Sequence, residues 1–283
     1  MDKSNLFHRN FFAMNTRFEV VSYGKDAEIF TRIFDSIEDT VNQLERVISC
    51  YDELSEVYRI NQAQPVNFYD ISVELLDIIR QADLYKNKTN GCFDYCFDRQ
   101  FVYGKTSLSI SVTKPKVELD PYNNCFRFTK TGFALDFGAI GKGLALERVA
   151  RILLEEGISN CFISFGESSI LTRGKHPHGP HWPFSLANSG EIKFQLNDAA
   201  VSTSGTRQPD GNLHIIDPRN NQKISTPKLV SVKSPSPVET EVLSTALLVA
   251  KEPEVKNILN NFFNYQIIIV NYEGNQKIRK IYD

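Results

Sequence analysis

The sequence lacks any apolar stretch that approaches the ~20 residues needed to cross a membrane. Its first residues, MDKSNLFHRNFF, lack the apolar core of a signal peptide, and no cysteine follows a small-residue cleavage site. We therefore expect a protein that works in the cytoplasm.

The chain also lacks an excess of positive charge. Lysine and arginine number 32 against 34 acidic residues, which gives a net charge of -2. Proteins that bind nucleic acid usually carry a basic excess or a basic stripe. We therefore expect no nucleic-acid partner.

Cysteine is scarce and shows no recognisable spacing. The five cysteines include no CxxC pair, although Cys92 and Cys96 lie close together. An odd number without framework spacing predicts free thiols rather than disulfides or a zinc site. His176, His178 and His181 lie among prolines and glycines, so no fixed helix or strand face presents their rings together, and we do not expect them to bind a metal.

The most informative stretch runs from Phe133 to Glu167 and predicts a strand, a glycine-rich turn, an amphipathic helix and a second strand. Apolar residues recur along one helical face from Leu146 to Leu153, and Gly157 is a typical residue to end the helix. Free N–H groups at a helix start, beside Lys142, suit a phosphate. The spacing fits neither a Walker A loop nor the GxGxxG turn. Phosphate binding and a plain glycine-rich connection therefore both remain open.

Other patterns place further elements. Phe11 to Val21 predicts either a strand pair or a single strand with a polar interruption at residues 15–16, and Asp26 to Ile48 predicts a long amphipathic helix. Ser72 is suited to cap a second helix. Alternation from Cys125 to Leu135 predicts a β-hairpin that turns at residues 129–132, and a further helix is expected to open at Thr240.

The segment from Asp136 to Gly143 (DFGAIGKG), followed by Glu147-Arg148, resembles the signature motif of the ApbE family, the FAD:protein FMN transferases. Six other segments resemble family motifs in family order. They are Met14–Phe18, Ser49–Asn61, Thr89–Asp94, Phe165–Glu167, Ala199–Gly205 with His214–Arg219, and Thr240–Ala246.

The resemblance implies an α+β fold of mixed or antiparallel sheets flanked by helices, like the family's T-fold-like core, in a single domain over residues 1–283. It implies that the protein transfers FMN from FAD to a threonine or serine hydroxyl of an acceptor protein, with Mg²⁺, and releases AMP.

The resemblance also implies a set of site residues. FAD contacts fall on Met14, Tyr51, Cys92, Phe93, Asp94, Asp136, Lys142 and Ile215. Magnesium ligands fall on the Ala139 carbonyl, Glu241 and Thr245, the last two being four residues apart on one helix face. His214 is the candidate to handle the acceptor's proton.

Three of these residues have plainer interpretations when taken alone. Met14 would be a core methionine, Tyr51 a surface tyrosine near a turn, and His214 a structural histidine.

The chain also departs from the family pattern. Glu241 replaces an aspartate, Phe165 replaces a glycine that could border the ligand pocket, and Asn220-Asn221 replace Thr-Gly. Two other functions therefore stay open: an FAD pyrophosphatase that gives FMN and AMP, and a flavin-binding protein without catalysis.

Overall fold

The structure, a computed structural model, describes residues 6–24, 26–104, 117–186, 192–206, 215–273 and 276–283. Within these ranges the helices are α1 Ala27–Ile48, α2 Glu56–Ala63, α3 Val73–Lys88, α4 Arg99–Tyr103, α5 Gly141–Glu155, α6 Pro237–Val249 and α7 Glu252–Leu259. The strands are β1 Leu6–Ala13, β2 Thr16–Tyr23, β3 Tyr69–Asp70, β4 Cys96–Asp98, β5 Val117–Asp120, β6 Cys125–Phe128, β7 Phe133–Leu135, β8 Cys161–Phe165, β9 Ser169–Arg173, β10 Trp182–Ser185, β11 Lys193–Leu196, β12 Ala199–Gly205, β13 Ile216–Asp217, β14 Gln222–Lys223, β15 Lys228–Ser234, β16 Gln266–Glu273 and β17 Gln276–Tyr282. None of these helices combines the length and the apolar character needed to cross a membrane.

The main sheet has eight strands in the order β1-β2-β8-β9-β12-β15-β16-β17, and every neighbouring pair is antiparallel. Side chains of a strand point alternately to the two faces of a sheet. In β16, Ile267 and Ile269 join the core under the helices, whereas Ile268 and Val270 join a second core under the β10–β11 ribbon. The expected α+β class with antiparallel sheets flanked by helices is confirmed.

Helix α1 forms because its apolar residues repeat at helical spacing. The residues from Phe30 to Ile48 that the pattern assigns to one face are buried, as predicted. The helix lies on the first hairpin, where Phe30 stacks on Phe7 and Phe34 meets Phe11 edge to face. This packing fixes the position of the α1–α2 loop, which forms one side of the candidate active site.

Of the two possibilities left open for the N-terminal segment, the structure shows the strand pair, with its turn at Met14-Asn15. Both residues have positive φ, 48° and 59°, and Ala13 faces Thr16 across the turn. Two successive left-handed residues suit the right-handed twist of a hairpin. Asparagine tolerates that conformation well, which explains why Asn15 can stand where the family has glycine.

The predicted hairpin over residues 125–135 is wrong. Strand β6 pairs with β3 and β5, whereas β7 pairs with β4. The end of α2 separates them: the Asn61 side chain accepts from the N–H of Leu135 and donates to its carbonyl, both at 2.8 Å. Gln64 accepts from the N–H of Gly132 at 2.7 Å. The side-chain amides of Asn61 and Gln64 thus bond to backbone groups for which the local alternation predicted a partner strand.

Helix α6 begins three residues before the predicted start. Pro237 occupies its first turn, and the Ser236 hydroxyl accepts from the N–H of Glu239 at 3.2 Å. Serine followed by proline is a strong helix start that the sequence reading overlooked. Glu241 therefore lies in the second turn, not the first.

Candidate active site

A cavity of about 610 Å³ lies between α6, β12, the α1–α2 loop and the turn after α3. Its size is typical of a small-molecule site. It is lined by Tyr51, Cys92, Phe93, Asp94, Phe97, Phe101, Val102, Asp136, Gly138, Ala139, Lys142, Ser168, Thr203, Ser204, Gly205, Ile215, Ile216, Pro218, Glu241, Thr245 and Val249.

The glycine-rich loop before α5 is closed by its own hydrogen bonds. The Asp136 carboxylate accepts from the N–H of Gly138 at 2.8 Å, and the Phe137 carbonyl accepts from the N–H groups of Ile140 and Gly141. These three N–H groups are therefore not free to hold a phosphate. The first turn of α5 instead presents the Lys142 side chain to the cavity.

The start of the α1–α2 loop places Tyr51 at the cavity. The Ser49 hydroxyl accepts from the N–H groups of Tyr51 and Asp52, at 3.3 and 3.1 Å, which fixes the turn. Tyr51 is 70% exposed and still lines the cavity, so its side chain is accessible to a ligand. Behind it, burial raises the pKa of the Cys50 thiol to about 12, helped by the charge of Asp136. Burial also raises the pKa of Asp136.

The turn after α3 carries three predicted FAD contacts. Asn90 and Gly91 have φ of 53° and 75°, which reverses the chain directly after the helix. The Thr89 hydroxyl accepts from the N–H of Phe93 at 3.1 Å. Burial raises the pKa of Cys92 to about 11, so its thiol stays protonated. The Asp94 carboxylate lies 3.1 Å from the Lys86 ammonium.

Glu241 is the centre of the polar network and is only 3% exposed. Its Oε2 accepts from the Lys142 ammonium at 3.2 Å. Its Oε1 accepts from the hydroxyl of Ser202 at 3.0 Å and from that of Ser169. A buried carboxylate needs such partners because desolvation otherwise disfavours its charge. Both carboxylate oxygens are thus engaged.

Hydroxyl groups continue from Glu241 toward Thr245. Ser244 lies 3.1 Å from Ser202 and 2.9 Å from Ser204, oxygen to oxygen, and Ser204 lies 3.5 Å from the Thr245 hydroxyl. The network joins β12 to α6 and fixes the face on which Glu241 and Thr245 stand.

Close approach of two helices brings Lys142 to Glu241. A Cβ atom at Gly143 would lie 2.8 Å from the Pro237 carbonyl oxygen and 2.8 Å from the Val238 Cα. Only glycine leaves room for the α6 backbone here. The glycine of the motif therefore sets the distance between α5 and α6.

Residues 215–218 border the cavity, and the bonds of Arg219 fix the position of this segment. Arg219 donates to both carboxylate oxygens of Asp217 at 2.9 Å and to Glu254 of α7 at 2.6 Å. A two-pronged arginine–carboxylate pair fixes orientation as well as distance. Ile215, a predicted contact, lines the cavity from this wall.

Ten predicted site residues line this one cavity. They are Tyr51, Cys92, Phe93, Asp94, Asp136, Ala139, Lys142, Ile215, Glu241 and Thr245. Met14 does not line it but lies beside Gly141, with Sδ 3.8 Å from a Cβ placed there. His214 lies outside the residues that the structure describes, so its role stays a prediction.

Phe165, which replaces a family glycine, points into the core and not into the cavity. Phe165 is fully buried and meets Phe18 edge to face with ring centroids 5.0 Å apart. It fills the core beneath the sheet and does not line the cavity.

The sequence reading missed Ser169 and Ser202, which hold Glu241, and Phe97, Phe101 and Val102, which line the cavity. Ser202 lies in a segment already matched to the family. Ser169 and the three apolar residues carry no sequence signal that could have identified them.

The charges and donors of the cavity suit a hard cation. Among the described lining residues, three carry carboxyl groups and one, Lys142, is basic, which disfavours a diphosphate unless a cation is added. A carboxylate, a hydroxyl and a backbone carbonyl, from Glu241, Thr245 and Ala139, are oxygen donors of the kind that Mg²⁺ prefers. No group of three or more histidine, cysteine or acidic side chains able to hold a metal occurs in the described part of the chain.

Comparison with known proteins gives a consistent result. The model of the ApbE family matches residues 14–269. A protein of Klebsiella pneumoniae (strain 342) named FAD:protein FMN transferase is 25% identical over 278 residues, covering 87% of this chain and 79% of that protein. The protein of the same name from Escherichia coli (strain K12) is 24% identical, covering 83% and 76%.

Solved structures share the fold. The apo form of the flavinyl transferase ApbE of Pseudomonas stutzeri aligns with a TM-score of 0.83 at 20% identity, covering 99% of this chain and 96% of that one. The flavin transferase ApbE of Vibrio cholerae aligns with a TM-score of 0.78 at 18% identity, covering 98% and 97%.

Proposed function

This chain belongs to the ApbE family, and from that premise we propose that it transfers FMN from FAD to a threonine or serine hydroxyl of an acceptor protein. The observation that carries the proposal is the convergence of ten residues from separate motifs, from Tyr51 to Thr245, on one cavity. A chance resemblance in short segments would not bring them together.

The cavity residues have distinct roles in this proposal. The Tyr51 ring stacks on the flavin, as an exposed aromatic ring can. Lys142 holds the pyrophosphate by charge, and Cys92, Phe93, Asp94 and Ile215 enclose the rest of FAD. Asp136 keeps the loop before α5 in shape through its bond to Gly138.

The Ala139 carbonyl, Glu241 and Thr245 would hold Mg²⁺. When bound, the ion neutralises negative charge on the phosphates. Ser169 and Ser202 keep the Glu241 carboxylate turned toward the cavity through its Oε1.

The reaction is a phosphoryl transfer. The acceptor's hydroxyl oxygen forms a bond to the FMN-side phosphorus, and the bond from that phosphorus to the bridging oxygen breaks, so AMP leaves with the bridging oxygen. The hydroxyl proton passes to a base, for which His214 is our candidate. Positioning and charge neutralisation supply most of the acceleration in such reactions.

The test is incubation with FAD, Mg²⁺ and a candidate acceptor protein, followed by intact mass of the acceptor and chromatography of the nucleotides. We expect one FMN per acceptor, released AMP, and no labelling when the acceptor's hydroxyl residue is changed to alanine. Free FMN with AMP would instead identify a pyrophosphatase. Bound but unchanged FAD would identify a flavin-binding protein without catalysis.

A further inference from the structure

The Lys142 ammonium has two possible partners, the Glu241 carboxylate and the diphosphate of a bound ligand. It is the single basic side chain among the described residues that line the cavity, and its ammonium lies 3.2 Å from Glu241 Oε2. A diphosphate that enters the cavity meets the same ammonium. Lysine has a flexible stem and a compact charge, so it can move between nearby acceptors.

Both carboxylate oxygens of Glu241 hold hydrogen bonds in the ligand-free protein. Oε1 is held by the hydroxyls of Ser169 and Ser202, and Oε2 is held by Lys142. A divalent cation that binds this carboxylate must approach Oε2, where the ammonium lies. Two positive charges on one buried oxygen repel strongly because water screens them little.

We propose that Lys142 blocks the cation site of the ligand-free protein and that FAD opens it, by drawing the ammonium from Glu241 to the pyrophosphate. This inference rests on the proposed function and adds an order to it, with FAD binding before the divalent cation. Each ligand then strengthens the binding of the other, because the coupling of two sites is reciprocal.

The proposal predicts that loss of the Lys142 ammonium changes the affinities for the cation and for FAD in opposite directions. Removing the ammonium frees Oε2, so the protein without FAD should bind a divalent cation more tightly. The same change removes the charge that attracts the pyrophosphate, so FAD should bind more weakly without a cation. Removal of a lysine that merely stabilised the fold would not raise the affinity of the protein for a cation.

The experiment uses Mn²⁺ as the probe, with free Mn²⁺ followed by electron paramagnetic resonance, on wild type, Lys142→Met and Lys142→Arg without FAD. We expect Lys142→Met to bind Mn²⁺ about tenfold more tightly or better, within the usual range of coupling between sites. Lys142→Arg keeps the charge and should stay near wild type. FAD titrations in the presence of a chelator should show weaker binding to Lys142→Met.

Lys86→Met is the matched control. Its ammonium lies 3.1 Å from Asp94, another cavity carboxylate, and the side chains are 29% and 0% exposed, against 23% and 4% for Lys142 and Glu241. If loss of any nearby positive charge tightened Mn²⁺ binding, this variant would behave like Lys142→Met. We expect its Mn²⁺ affinity to stay at the wild-type value.

Two further variants remove ambiguity. Lys142→Gln retains a neutral donor for Glu241 and replaces Lys142→Met if circular dichroism shows that the latter is unfolded. Adding Glu241→Gln to either variant should abolish the gained Mn²⁺ binding. Failure of the wild type to bind FAD would overturn the proposed function itself. FAD binding and FMN transfer by the wild type, with unchanged or weaker Mn²⁺ binding in a folded Lys142→Met or Lys142→Gln protein, would overturn this inference alone.

Discussion

At the scale of single residues, Glu241 is fitted to its surroundings by two hydroxyl groups. An aspartate there would be one methylene shorter and would draw its carboxylate back from Ser169 and Ser202, which now share its Oε1. The longer side chain and the two serines therefore form one unit in this chain.

We expect Glu241→Asp to lose stability and turnover even though it restores the usual family residue. Each lost hydrogen bond to a buried hydroxyl costs about 1 kcal/mol, so unfolding should become easier by about 1–3 kcal/mol. Glu241→Gln keeps the length and the serine contacts but loses the charge, so Mg²⁺-dependent FMN transfer should fall more than stability. Urea unfolding and FMN transfer against Mg²⁺ concentration compare the variants. A fully stable and more active Glu241→Asp would show that the serines do not hold the carboxylate.

Tyr51→Ala tests the flavin contact. Loss of a stacked aromatic ring should weaken FAD binding by roughly 1–3 kcal/mol, judged from aromatic platforms that stack bases. Stability should hardly change because the residue is 70% exposed. Fluorescence titration with FAD measures the loss, and Tyr122→Ala is a suitable control because Tyr122 is 95% exposed and does not line the cavity. Equal FAD affinity in wild type and Tyr51→Ala would make Tyr51 an ordinary surface residue.

Sequence motifs predicted which residues gather at the site better than what each one contacts. Ten predicted residues share the cavity, but the bonds from Gly138 to Asp136 and from Lys142 to Glu241 were not foreseen. The first is a local bond within one loop. The second joins residues 99 positions apart and depends on how two helices pack rather than on local spacing.

At the scale of elements, the contact between α5 and α6 assembles the charged part of the site. Lys142 belongs to the first turn of α5 and Glu241 to the second turn of α6. The absence of a side chain at Gly143 allows the two helices to come this close.

We expect Gly143→Ala to destabilise the protein by about 1–3 kcal/mol, the usual cost of overpacking. Alanine normally favours a helix over glycine by about 1 kcal/mol, so a loss of stability would show that the contact dominates. Gly179→Ala is the control, because its nearest neighbour, the His181 carbonyl oxygen, would be 4.0 Å from the new Cβ. Thermal unfolding of both variants and of wild type measures the change in stability. A Gly143→Ala protein as stable as wild type would mean that α6 moves away without cost.

Helices were predicted more reliably than strand pairing. The α1 stripe and the Ser72 cap of α3 follow from local periodicity and local hydrogen bonds. The partners of β6 and β7 depend on Asn61 and Gln64 from a distant helix end, which no local alternation reveals.

At the scale of the whole molecule, the half-buried Lys228 links stability to pH. The Lys228 ammonium donates to the carbonyls of Leu247 and Ala250 at the end of α6. Burial lowers its pKa from 10.5 to about 8, although Glu252 opposes the shift. Between these two values the unfolded chain holds more protons at this residue than the folded one, so stability should rise with pH there.

Lys228→Met should remove this rise. The free energy of unfolding of wild type relative to Lys228→Met should increase by about 1–3 kcal/mol from pH 8 to pH 10.5, after allowance for solvent screening. Urea unfolding of both proteins at several pH values in this window measures the difference, and other groups that titrate there cancel. A constant difference between the two proteins would contradict the lowered pKa of Lys228.

The order of the main sheet could not be predicted from the sequence. Spacing and alternation identify strands, but which strands pair is settled by packing over long distances in the chain. The family resemblance supplied the fold class, and the single-domain organisation stays a prediction.

The strand order carries a consequence for synthesis on the ribosome. Each strand of the main sheet pairs with the one that precedes it in chain order, so the sheet can grow as the chain emerges. The second edge of β2 must wait for β8, about 140 residues later, which at ordinary translation rates takes roughly 7–28 s. During that time α1 can cover one face of the first hairpin, but the open edge of β2 can pair with other chains. We expect nascent chains stalled before Cys161 to aggregate on release, and chains released after β17 has emerged to stay soluble; equal solubility of the two would show that the edge of β2 is protected in another way.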